Sequence, residues 1–147
     1  MNSLTKILAA SALLAGGVAI AHAAVQNEAV IKRQEVMKTV GKNTKLLGQM
    51  AKGEIAFDAD KANQAASAIA TQADMVPAVF EPQASDPESA AKPDIWQNWD
   101  DFTAKAEKLK TTAQTIDVSS LDGVRAGLGQ LGEACKACHS DYRVKKD

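Results

Sequence analysis

Cysteine, histidine and aromatic residues are all scarce in this chain, and each shortage removes a class of function. Among 147 residues there are two cysteines, two histidines, two tryptophans, three phenylalanines and one tyrosine. A structural zinc site takes four nitrogen or sulfur ligands. Cys135, Cys138, His139 and His22 would be the whole supply, and His22 lies in a segment that reads as removable, which leaves three. No paired carboxylates and no Ser/His/Asp arrangement supports a hydrolase. The low aromatic content argues against a β-sandwich, whereas abundant alanine favours helix. There is no basic excess, the formal net charge being −1, and nothing suggests a nucleic-acid partner. Beyond the N-terminus no apolar run is long enough to span a bilayer.

The little cysteine and histidine that remains is concentrated in one place. Cys135, Lys136, Ala137, Cys138 and His139 form the Cys-x-x-Cys-His pattern of covalent c-type haem attachment. The spacing has a chemical reason. Two thiols that add to the two vinyl groups of one haem must lie on one face, as helix positions i and i+3 do. The following histidine then presents its imidazole to the iron, for which a proximal His is a common axial ligand. The competing readings are a plain disulfide pair and a thiol–disulfide enzyme. The second expects a βαβ context, and no strand pattern is found.

Residues 1–23 read as a secretory signal peptide. Lys6 supplies the positive start, Ile7 to Ile20 the apolar stretch, and Ala21-His22-Ala23 the cleavage site. Cleavage leaves 124 residues from Ala24 to Asp147, one domain's worth, and loss of Lys6 takes the formal charge to −2. A simple export signal joined to a haem motif points to a bacterial periplasm, with no membrane anchor after cleavage.

In the mature chain, apolar residues recur at spacings of three and four in four segments. The first spans about 27–52, with Val30, Arg33, Met37, Val40, Thr44, Leu47 and Ala51 along its seam and Gly53 to stop it. The second spans about 60–75, with Ala62, Ala66, Ile69, Ala73 and Val76 as its seam and Met75 also as core; Pro77 is expected to end it. The third opens at Pro93-Asp94 and continues through Ile95, Trp99, Phe102, Ala106, Leu109, Ala113 and Ile116. The fourth starts at an N-cap near Ser119 and carries Leu121, Val124, Leu128, Leu131, Cys135, Cys138 and Tyr142, with Lys145 and Lys146 at its negative end. Residues 77–92, rich in Pro, Ser, Asp and Glu, read as a loop. The expected fold is all-α, an antiparallel four-helix bundle whose core holds a covalently bound haem. The haem cysteines share the core seam of the last helix.

With these residues in hand, the chain resembles the class II c-type cytochromes, the cytochrome c-prime superfamily. The resemblance spans the whole mature chain. It is carried by Cys135 to His139 followed by Asp141-Tyr142-Arg143, by the stretch from Arg33 to Lys52, and by Pro93-Asp94-Ile95-Trp96. The run from Met37 to Asn43, with Leu47-Gly48 and Ala51-Lys52-Gly53-Glu54, looks closest to the low-spin c-556 type. The resemblance implies a four-helix bundle with one haem c on the last helix and His139 as proximal iron ligand. It implies Met37 as sixth ligand if the chain is a low-spin electron carrier. The alternative is a five-coordinate protein of the c-prime type that binds NO or CO. It also implies Arg33 near a haem propionate, periplasmic redox proteins as partners, and a possible homodimer through the first two helices.

Other residues are read from position. Arg143, four residues after His139, either pairs with a propionate or belongs to a solvated basic tail. Lys136 lies exposed between the cysteines, as part of a docking patch or as a plain surface lysine. Trp99 could pack on the porphyrin or in the core, and Tyr142 could cover a haem edge. Met50 lies too far along the first helix to share the level of Met37.

Overall fold

A computed structural model describes residues 25–145. The signal segment expected over 1–23 lies outside the described residues, as does Lys146. Five helices follow in order: α1 (Glu28–Lys52), α2 (Ala59–Phe80), α3 (Asp94–Gln97), α4 (Trp99–Gln114) and α5 (Leu121–Tyr142). Four are long and pack in a ring, α1 on α2, α2 on α4, α4 on α5 and α5 on α1, which is a four-helix bundle. No strand occurs among the described residues, only an isolated antiparallel bridge between Ala91 and Arg143.

The ends of the helices are set by local chemistry. Asn27 caps α1, its side-chain oxygen accepting from the N–H groups of Ala29 at 3.0 Å and Val30 at 3.3 Å. Gly53 closes α1 with φ +74°, a left-handed conformation in which a side chain would be strained. Asp58 caps α2 through the Lys61 N–H at 2.9 Å. The cap of α5 is Ser120 and not its neighbour, because Ser119 is turned to the Asp117 carboxylate.

Two boundaries differ from the sequence pattern. Helix α2 runs through Pro77 to Phe80. A proline deprives a helix of one hydrogen bond, but here only one further turn follows, Val76 and Phe80 are buried, and the Glu81 N–H still reaches the Pro77 carbonyl at 2.9 Å. The third segment is broken at Asn98, whose side chain donates to the Asp94 carbonyl at 3.0 Å and whose backbone leaves the helical region. The result is a single turn, α3, set apart from α4.

The core is divided in two. Leu47, Met50, Ile69, Val124 and Leu131 build an aliphatic part, into which the small Ala62, Ala65, Ala70 and Ala73 of α2 fit closely. Val36, Val76, Phe80, Ile95, Phe102 and Tyr142 build an aromatic part nearer the C-terminal end of α5. Met50 is buried in the aliphatic part and does not line the cavity described below. Met75, expected in the core, is 44% exposed, since Val76 takes the inward position beside it.

Candidate haem site

A cavity of about 520 Å³ opens at the aromatic end of the bundle, within the range of ligand-holding clefts. Met37, Arg33, Lys38 and Gly41 of α1 line one side of it. Cys138, His139 and Tyr142 of α5, with Arg143, line another. Phe80, Ile95 and Phe102 provide apolar wall, and residues 88–91 close one edge. Five of the six residues singled out from the sequence therefore meet here: Met37, Arg33, Cys138, His139 and Arg143. Cys135 stands one turn earlier on α5, partly buried against the aliphatic core.

The two cysteines are unbonded to each other. Burial pushes both thiols up, that of Cys138 to about 11, so they are held as neutral S–H groups rather than reactive thiolates. Burial moves His139 the other way, with Arg143 adding to the effect, and so favours the neutral imidazole that has a lone pair for a metal. Met37 is only partly buried. Val36 beside it points into the core, so the core seam of α1 runs through Val36, and Met37 sits at its edge, facing the cavity.

Arg33 is 3% exposed. Its guanidinium stands 5.1 Å from the ring centres of both Phe80 and Trp96, and donates to the carbonyls of Val79 at 3.2 Å, Ala84 at 3.0 Å and Pro82. These carbonyls belong to the last turn of α2 and the chain after it, the negative end of a helix that has no basic residue of its own there. Burial lowers the Arg33 pKa. Three of its five N–H groups are thus committed to the protein, a role that the sequence does not indicate.

Tyr142 closes the cavity from α5 and packs edge-on against Phe102, with centroids 5.4 Å apart. Trp99 meets Phe102 from behind at 5.6 Å and does not line the cavity, so core packing is its role. Phe80 is a wall residue that the sequence pattern missed, because Pro77 signals a helix end three residues too early. Lys136 is exposed, as expected. Residues 88–91 lay in an apparent loop with no periodicity to mark them.

Two thiols one helical turn apart, an adjacent imidazole lining the same cavity, and an apolar cleft with arginines at its border fit a covalently attached haem. Comparison with known proteins bears on the same point. The sequence profile of the cytochrome c′ family matches residues 28–143. The chain belongs to that family. It is accordingly a haem c protein with the four-helix bundle of its relatives. It is 41% identical to cytochrome c-556 of Agrobacterium tumefaciens (strain B2A) over 121 residues, covering 80% of this chain and 98% of the relative. It is 34% identical to a cytochrome c′ of Rhodopseudomonas palustris over 145 residues, covering 95% and 94%. Among solved structures, cytochrome c′ from Rhodopseudomonas palustris superposes with a TM-score of 0.74 at 29% identity, covering 83% of this chain and all of the other.

Proposed function

We propose that this cytochrome is an exported one-electron carrier of the low-spin kind, with His139 and Met37 as the two axial ligands of its haem. The observation that carries the reading is that a thioether from α1 and an imidazole from α5 line the same cavity. The similarity to relatives named cytochrome c-556 supports it.

Cys135 and Cys138 would hold the haem, each thiol adding to one vinyl group as a thioether. Bound haem c would supply the ferric/ferrous couple. His139 would offer a ring nitrogen and Met37 a neutral sulfur to the iron, a pairing that would favour a high reduction potential. Phe80, Ile95 and Phe102 give the cavity an apolar wall that would keep water out. Arg143, exposed at the rim, and the two remaining N–H groups of Arg33 provide positive charge for the propionates. Residues 1–23 act as the cleaved signal, which places the protein in the periplasm with periplasmic redox proteins as partners. The exposed Met75 on α2 suits a homodimer contact.

The second reading is a five-coordinate protein that binds NO or CO. The partial exposure of Met37 favours it, as does the similarity to a cytochrome c′ of Alcaligenes xylosoxidans solved as a nitric oxide complex, at 28% identity and a TM-score of 0.72. Optical spectra of oxidised and reduced holoprotein, with and without CO, separate the two. A carrier gives sharp, split bands on reduction and ignores CO, and Met37→Ala makes it bind CO. A broad band in the wild type that shifts with CO would overturn the first reading.

A further inference from the structure

The chain between α2 and α3 is tied down at both sides of the cavity mouth. On the α1 side the knot is Asp86. One carboxylate oxygen accepts the backbone N–H groups of Gln26 at 3.0 Å and Asn27 at 3.1 Å, the last two residues before α1. The other oxygen accepts the Glu88 N–H at 2.8 Å and so shapes the turn into the cavity edge. Gln34 of α1 adds a bond from its side-chain amide to the Glu88 carbonyl at 3.3 Å. On the α5 side the Val144 N–H donates to the Ala90 carbonyl at 2.8 Å, and the Lys92 N–H donates to the Tyr142 carbonyl at 3.0 Å. Residues 86–92 therefore form a strap from the start of α1 to the end of α5. Met37 lies about two and a half turns into α1 and His139 in the last turn of α5, and both line the cavity.

We infer that Asp86 is a positioning residue for the haem ligands: by fastening the strap to α1 it fixes how far Met37 stands from His139. This rests on the reading of the cavity as the haem site with those two ligands. The physical reason is geometric. A helix end held by charge-assisted bonds to a short strap has little freedom to swing outward. The hydrogen bonds of Asp86 to Glu88, Gln26 and Asn27 all go to backbone N–H groups, and these hold its carboxyl below the usual carboxylate range.

The test compares Asp86→Ala with Asp58→Ala in the haem-loaded protein. Asp58 also caps a helix start, but in the link between α1 and α2, outside the cavity lining. Both variants lose a carboxylate that bonds backbone N–H groups; only one cuts the strap. Two quantities are read: the rate of CO binding to ferrous protein, and the reduction potential. Asp86→Ala removes three such bonds and should speed CO binding by at least about tenfold, the effect that losing even one charge-assisted hydrogen bond has on a closed-to-open equilibrium, and shift the potential. Asp58→Ala should leave both at wild-type values. Equal shifts in the two variants, or none in either, overturn the inference. If Asp86→Ala does not accumulate with haem, Asp86→Asn, which keeps one acceptor oxygen, is compared with Asp58→Asn in the same way. Failure of the ligation reading is seen separately, as rapid CO binding by the wild type itself.

Discussion

Tyr142 donates its phenolic hydrogen to the carboxylate of Asp101 at 2.5 Å, joining α5 to α4 one turn beyond His139. Lys105 pairs with the same carboxylate and, at 3.3 Å, with that of Asp141, while its ammonium stands 5.3 Å from the Tyr142 ring. This group of four residues fixes the end of the haem-bearing helix from outside the cavity.

Its effect on stability should appear at both ends of the pH scale. The hydrogen bond to Asp101, together with burial, raises Tyr142 from 10.0 to about 12. An acid whose folded pKa is raised contributes stability that is intact below its unfolded pKa and is lost as pH climbs through the folded one. Denaturation midpoints of the wild type should therefore fall between pH 10 and pH 12 in a step that Tyr142→Phe lacks. Asp101 behaves in the opposite sense. Lys105 first, and Tyr142 second, hold its carboxyl low, so its contribution is present above the ordinary aspartate range and disappears as pH falls through the lowered value.

Arg33→Met should destabilise the fold by about 2–4 kcal/mol, because it leaves the carbonyls of Val79, Pro82 and Ala84 without their donor. The indole N–H of Trp96 still reaches the Phe80 carbonyl at 2.7 Å, so the last turn of α2 should loosen rather than unfold. Urea denaturation measures the loss, and hydrogen exchange over 79–84 locates it. Unchanged exchange there would contradict the assignment.

Gly127→Ala is expected to cost about 1–3 kcal/mol through overpacking, since a Cβ would come within 2.7 Å of the Ile116 side chain. Combined with Ile116→Ala, which removes both Cγ atoms the new Cβ would meet, the loss should be smaller than the sum of the two single losses. Gly129→Ala, with open space around it, should instead stabilise by up to about 1 kcal/mol through helix propensity. Thermal or urea melts of these variants and the wild type give the comparison directly.

Removing one cysteine should leave haem attached through the other. Intact-mass measurement of Cys135→Ala and of Cys138→Ala is expected to find one haem per chain in each, at reduced yield, and none in the double variant. Full haem retention by the double variant would show that the bonds lie elsewhere.

Much of this was legible in the sequence, for identifiable reasons. Four amphipathic periods and five consecutive motif residues are local signals, so the four long helices and the position of Cys135, Cys138 and His139 on the last of them could be read directly, whereas the break at Asn98 could not. Met37 was found because it shares a helix face with the inward positions Arg33 and Val40. What escaped was settled by tertiary contact. Pro77 reads as a stop, yet burial of Phe80 and the donors of Arg33 carry α2 beyond it. Asp86 looks like one acid in a polar loop, since its partners lie 59 and 60 residues away. Arg33 lines the cavity as expected, but its commitment to three carbonyls depends on where the chain goes after α2.

The position of the two cysteines has a mechanical consequence. Cys135 packs against the aliphatic part of the core and Cys138 against the aromatic part. Both residues stand on α5, one turn apart, so the helix itself is the beam that runs from one half of the interior into the other. A loosening of either half would be felt at that single turn, where a group fixed to both sulfurs would stiffen the beam.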